Sequence, residues 1–246
     1  MSVILAVDGL CKRYGALVVT DDLDLSLAAG EALGIIGPNG AGKSTLFGLI
    51  AGEIHPDAGR IVFRGQDITG SPPYARCRAG IGRSYQIPRP FSGMSVFENL
   101  LVGAAFGAER GDSGPETRCA EILERTGLMR KANMRAGSLT LLERKRLELA
   151  RALATDPALL LLDEIAGGLT EHECRELVAL IRDIQAQGVS IIWIEHILHA
   201  LRSVISRLMV INFGKVIMDG DPGAVTSHPR VKEIYMGIAA EAAPHA

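Results

Sequence analysis

Gly37-Pro38-Asn39-Gly40-Ala41-Gly42-Lys43-Ser44-Thr45 fits the pattern GxxxxGK[ST]. It stands between a buried apolar run, Glu31–Gly37, and a helix-forming stretch from Lys43 to about Ala51. Glycines let the backbone turn tightly enough for successive N–H groups to face phosphate oxygens. Lys43 adds a point charge at the β/γ-phosphates, and the Ser44 hydroxyl is placed to ligate Mg²⁺. A strand that passes through such a loop into a helix opens an α/β fold.

The rest of the chain supports that class. Val3–Val7, Leu23–Leu27, Ile61–Arg64, Ile81–Gln86, Leu159–Asp163, Val189–Ile194, Leu208–Phe213 and Lys215–Met218 read as short strands, and the last two flank Gly214 as a hairpin. From Pro88 to about Leu153 the strand signal stops. There Val96–Val102, Glu116–Thr126 and Leu141–Leu153 carry helical periodicity, separated by polar loops such as Gly107–Pro115. This predicts one domain over 1–246, with an α/β body (1–87 and 154–246) and an inserted helical subdomain (88–153). The tail Glu241–Ala246 is small and polar and reads as frayed.

Composition narrows the function. The chain has 246 residues, 48% hydrophobic, with a formal net charge of −2, which argues against coating nucleic acid by bulk electrostatics. Cys11, Cys77, Cys119 and Cys174 are scattered, with no CxxC pair, and fit reduced thiols. No signal-length apolar stretch opens the chain, and apolar runs such as Ala158–Leu162 and Gly188–Ile194 are far too short to span a bilayer.

A second motif completes a nucleotide site. Leu159-Leu160-Leu161-Leu162-Asp163-Glu164 is a buried strand ending in two acids. Asp163 can hold Mg²⁺ through water, and Glu164 would stand beside the γ-phosphate, placed to polarise the attacking water.

With these motifs in this order, the sequence resembles the ATP-binding subunits of ATP-binding-cassette (ABC) transporters over nearly its whole length. The resemblance implies a P-loop NTPase (RecA-like) core with an antiparallel β subdomain and an inserted helical subdomain. Tyr14 matches the aromatic that stacks on adenine. Gln86 matches the glutamine that senses the γ-phosphate and Mg²⁺, and His196 the switch histidine that contacts the γ-phosphate. Leu139-Thr140-Leu141-Leu142-Glu143 lies where the signature LSGGQ belongs, facing the partner's nucleotide. Thr140 stands for Ser, Leu141 and Leu142 for the two glycines, and Glu143 for Gln. Thr140 and Glu143 still form a T-x-x-E capping box that starts a helix. The Arg144–Arg146 run, interleaved with Glu143 and Glu148, reads as a solvated helix face. Thr170, in the loop Ala166–Thr170, stands where the family usually has Asp.

Tyr85–Phe91, Met94–Val102, Ala166–Leu169 and Tyr235-Met236-Gly237 resemble the branched-chain amino-acid uptake ATPases, a branch that includes urea and amide importers. Lipopolysaccharide-export ATPases share part of these motifs. The implied function is ATP hydrolysis with Mg²⁺ in a two-subunit sandwich, homo- or heterodimeric, that drives separate permease subunits fed by an external solute-binding protein. The subunit would lie peripherally on the cytoplasmic face of the inner membrane. Arg89, Phe91 and Phe97 are the candidates for meeting the permease. A non-transport ABC ATPase would carry a second cassette or a long coiled coil, and a small-molecule kinase does not account for Gln86 and His196.

Overall fold

The computed structural model describes residues 2–107 and 114–236. It opens with a long antiparallel hairpin, β1 (Val3–Tyr14) and β2 (Leu17–Ala28), turning at Gly15-Ala16. In β2, Leu23, Leu25 and Leu27 are buried while Asp22, Asp24 and Ser26 are exposed, the alternation of a half-buried strand. Both strands run well beyond Val3–Val7 and Leu23–Leu27. Register shifts after Val7 and after Leu10 absorb the polar residues that made the outer segments look unlike strand. β4 (Ala58–Phe63) pairs with β1 and with the short β5 (Gln66–Asp67), giving a four-stranded antiparallel sheet in the order β2-β1-β4-β5.

The second sheet has six strands in the order β10-β9-β3-β8-β7-β6. They are β3 (Ala32–Ile36), β6 (Ile81–Arg83), β7 (Leu159–Asp163), β8 (Ser190–Ile194), β9 (Arg207–Asn212) and β10 (Lys215–Gly220). All are parallel to their neighbours except β10, which returns antiparallel beside β9. Every residue of β3, β7 and β8 is buried, as in parallel strands covered on both faces.

The helices supply that cover. α1 (Lys43–Ala51) lies between the sheets, where Leu46, Phe47 and Ile50 share one apolar cluster with Leu5, Leu23, Ile35 and Ile194. α2 (Pro73–Ala79) follows the antiparallel sheet. The segment 88–153 carries α3 (Val96–Phe106), α4 (Pro115–Arg125) and α5 (Leu141–Ala154) near their expected places, and no named strand among its described residues. α5 and α6 (Glu171–Ala186) close the other face through Leu147, Leu177 and Ile181 against Leu160 and Trp193. α7 (Leu198–Arg202), α8 (Pro222–Ser227) and α9 (Pro229–Met236) are the remaining α-helices among the described residues, all in the C-terminal part. Most of the Gly107–Pro115 loop, Gly237 and the tail Glu241–Ala246 lie outside the described residues.

β4 starts earlier than expected, at Ala58, and β10 runs on to Gly220, while β6 and β9 end short. β6 stops at Arg83, not Gln86; Ser84 still donates its N–H to Leu161 O at 2.9 Å, and Tyr85, Gln86 and Ile87 then leave the sheet toward solvent. β9 stops at Asn212, because Phe213 and Gly214 form the hairpin turn with φ of 46° and 76°. Positive φ at both central residues matches the twist of the flanking strands.

Candidate functional site

The phosphate loop is shaped from two sides. Gly42, with φ of 103°, caps α1 with no side-chain hydrogen bond, which leaves the first-turn N–H groups for an anion. A Cβ on Gly42 would meet Val19 O of β2 at 2.4 Å, and one on Gly37 would meet Ile211 O of β9 at 2.1 Å. Glycine is therefore required at both positions by close backbone approach. Gly214 N–H also donates to Ala41 O at 3.0 Å, fastening the loop to the β9–β10 turn. The Lys43 ammonium is buried and donates to Gly37 O at 2.7 Å and Pro38 O at 3.0 Å. Burial lowers its pKa, opposed by the carboxylates of Glu164 and Asp163.

Glu164 faces this loop from the end of β7. Asp163 pairs with Ile194 in the sheet, Glu164 N–H donates to Ile194 O at 2.8 Å, and Glu164 adopts φ of 45°. Such a left-handed conformation costs energy in a residue with a side chain. Both oxygens of its carboxylate are engaged: Gln86 Nε2 donates to Oε2 at 2.5 Å, and His196 Nε2 lies 2.6 Å from Oε1. Asn39 through Thr45, Gln86, Glu164 and His196 line one open cleft of about 650 Å³. Leu17 and Val19 form its apolar wall, a contribution that the sequence reading did not identify.

Asp163 sits behind the cleft, nearly buried, with Arg83 Nη2 3.5 Å from its Oδ2. Burial raises its carboxyl pKa, while Arg83 pulls it down. A divalent cation would stabilise the ionised form. Ser44 and Gln86 line the cleft, and with Asp163 they carry oxygen donors of the kind that could hold Mg²⁺. Among the described residues no three His, Cys, Asp or Glu cluster as a metal site.

Other designated residues lie elsewhere. Tyr14 is exposed at the hairpin end, with the Lys12 ammonium 5.6 Å from its ring; it pairs with the cleft residue Leu17 but does not line the cleft. Leu139-Thr140-Leu141-Leu142-Glu143 does not line it either. Thr140 caps α5: Glu143 N–H donates to its Oγ1 at 3.4 Å, Thr140 N–H donates to Glu143 Oε2 at 3.0 Å, and Lys131 pairs with Glu143. Leu139 is buried, Leu142 is half-buried, and Leu141 is 47% exposed beside Gly168 of the loop after Glu164. Thr170 caps α6 through a second capping box with Glu173.

One reading is corrected. The Arg144–Arg146 run is not a solvated face throughout: Lys145 and Glu148 are buried, and Arg146 pairs with Glu176 at 2.6 Å. The helix turns these residues inward, which alternating charges in the sequence do not reveal. Of the permease candidates, Phe97 is half-buried and packs on the core, while Phe91 is exposed and covered on one side by Arg151, 4.8 Å from its ring. A separate groove of about 340 Å³ opens between the body and the helical segment. Tyr74, Tyr85 and Phe106 line it beside Glu53, Arg83 and Arg151, and all three aromatics are exposed.

The sequence profile described as ABC transporter matches residues 20–167. The high-affinity branched-chain amino acid transport ATP-binding protein LivG of Escherichia coli (strain K12) is 36% identical over 96% of this chain and 98% of its own length. The lipopolysaccharide export system ATP-binding protein LptB of Acidithiobacillus ferridurans is 34% identical, again over 96% and 98%. Among solved structures, the ADP conformation of an ATP-binding cassette of an ABC transporter superposes with a TM-score of 0.88 at 31% identity, over 97% of this chain and all of that one.

Proposed function

The chain belongs to the ABC transporter family as its ATP-binding, ATP-hydrolysing subunit, and on that premise we propose that it drives uptake of branched-chain amino acids or related small solutes through separate permease subunits. The observation that carries the site assignment is Glu164 held between Gln86 and His196 across the cleft from the phosphate loop. The loop N–H groups and Lys43 bind the phosphates. Glu164 polarises the attacking water, and His196 and Gln86 orient Glu164 and report the γ-phosphate to it. Ser44, Gln86 and Asp163 would hold Mg²⁺, which would supply charge neutralisation for the phosphates.

Each ATP would lie between this cleft and the Leu139–Glu143 segment of a second ATPase subunit. That segment stands at the head of α5, outside its own chain's cleft. The difference between binding ATP and binding ADP then closes and opens the pair. The segment 88–153 acts as the helical subdomain, and the groove beside Tyr74, Tyr85 and Phe106 takes the permease at the cytoplasmic face of the inner membrane. No helix among the described residues is long and apolar enough to cross a membrane, which suits a peripheral subunit. The uptake reading rests on Tyr85–Phe91 and Met94–Val102 and on the likeness to LivG.

Two measurements test this. Calorimetry with Mg²⁺ and ATP should show binding that weakens by at least about tenfold in Lys43→Ala, which removes a charge-assisted contact worth about 1.5–3 kcal/mol. An unchanged dissociation constant would contradict the site. Affinity capture from membranes should recover a permease that Tyr85→Ala weakens, and the solute bound by its external protein assigns the transport reaction. Recovery of an export permease instead would overturn the uptake reading.

A further inference from the structure

Glu195, between the end of β8 and His196, is 1% exposed. Its carboxylate spends both oxygens on backbone: Oε2 accepts the Ala166 N–H at 3.0 Å, and Oε1 accepts the His196 N–H at 2.9 Å. Ala166 lies in the loop that leaves Glu164. One buried side chain thus ties the Ile165–Ala166 peptide, one beyond Glu164, to the peptide of His196, the residue whose ring meets Glu164 at 2.6 Å.

Lys145 of α5, 4% exposed, is a second buried charge in this region: burial lowers its pKa, while Glu195 and then Glu164 raise it.

Resting on the reading of Glu164 and His196 as the hydrolytic pair, we propose that Glu195 is a positioning residue for ATP hydrolysis. Glu195 touches neither substrate nor reacting atoms. It fixes the distance and angle between the two side chains that do, by holding the backbone near each.

The test is steady-state ATPase kinetics and ATP binding of the full chain carrying Glu195→Gln, with Glu164→Gln run beside it. Glutamine keeps one side-chain oxygen, so one of the two N–H donors faces an amide NH₂. Misplacement of a catalytic pair without loss of binding predicts kcat lower by about tenfold or more, with ATP affinity within about twofold. Wild-type kcat in Glu195→Gln would overturn the positioning role. A parallel loss of ATP affinity and thermal stability would make Glu195 merely structural and also overturn the proposal. Should Glu195→Gln not fold, the double variant with Lys145→Met removes both charges together. Low kcat with retained affinity in the folded double variant supports the proposal; wild-type kcat, or failure to fold, rejects it. If Glu164→Gln itself keeps wild-type turnover, the fault lies in the site reading and not in Glu195.

Discussion

Glu164 Oε1 and His196 Nε2 stand 2.6 Å apart although 32 residues separate them in sequence. The parallel pairing of β7 with β8, Asp163 opposite Ile194, brings their strand ends level. The sheet therefore brings the two following loops level, and the Glu195 carboxylate ties them together.

Glu164→Gln should separate binding from chemistry. The change keeps the shape of the side chain and removes the base, so hydrolysis should fall by about 10²-fold or more. ATP binding should survive, because Lys43 and the loop N–H groups are untouched. The ATP-bound dimer should then accumulate and elute early in size-exclusion chromatography. Turnover at the wild-type rate would remove Glu164 from the mechanism.

The divergent signature predicts weak self-association. Leu141 stands 47% exposed in the first turn of α5, where glycine would allow a helix end to approach a phosphate closely. Replacing Leu141 and Leu142 by glycine should strengthen ATP-dependent dimerisation of the Glu164→Gln protein. It should also lower helix stability by about 1 kcal/mol per position. Sedimentation with and without ATP compares the two proteins. A tight self-dimer with the leucines in place would mean that they point away from the nucleotide.

Glu148 predicts a pH-dependent stability difference. Burial holds its folded carboxyl pKa above the ordinary 4.5, against the pull of Arg151. A raised folded value means that the folded state binds the proton more tightly. Its favourable contribution is complete below about pH 4.5 and is lost as pH rises through the folded value. Glu148→Gln has no such loss, so its Tm relative to wild type should rise as pH climbs from about 4.5 through the folded value. Calorimetry over that range checks the sign; a difference that shrinks with rising pH would contradict it.

Much of the site was legible because backbone geometry dictates the residue type. Gly37 and Gly42 are glycines because carbonyls of β9 and β2 approach them, and a pattern that demands glycine can be read without a structure. Glu164 was legible as the acid at the end of an all-leucine strand. Gln86 and His196 carry no such local mark; only their place in a resembling family singled them out. Lys145 and Glu148 were misread because burial on α5 is decided by what packs against it, while their sequence looks like any charged helix surface. The missed helix α6 did have a local signal. Thr170 and Glu173 repeat the capping box that marked α5, and Cys174, Leu177, Val178 and Ile181 give it an apolar face.

Val19 of β2 and Ile211 of β9 press on the phosphate loop from different sheets, and α1 leaves that loop into the apolar cluster they share. Melting of either sheet would undo the loop, so occupancy of the loop by nucleotide joins the two sheets into one thermodynamic unit. Ligand at a hundredfold excess over its dissociation constant stabilises such a unit by about 2.7 kcal/mol. The increment belongs to the antiparallel hairpin as much as to the strands that carry Glu164 and His196, and ATP becomes a fastener of the whole nucleotide-binding body as well as its fuel.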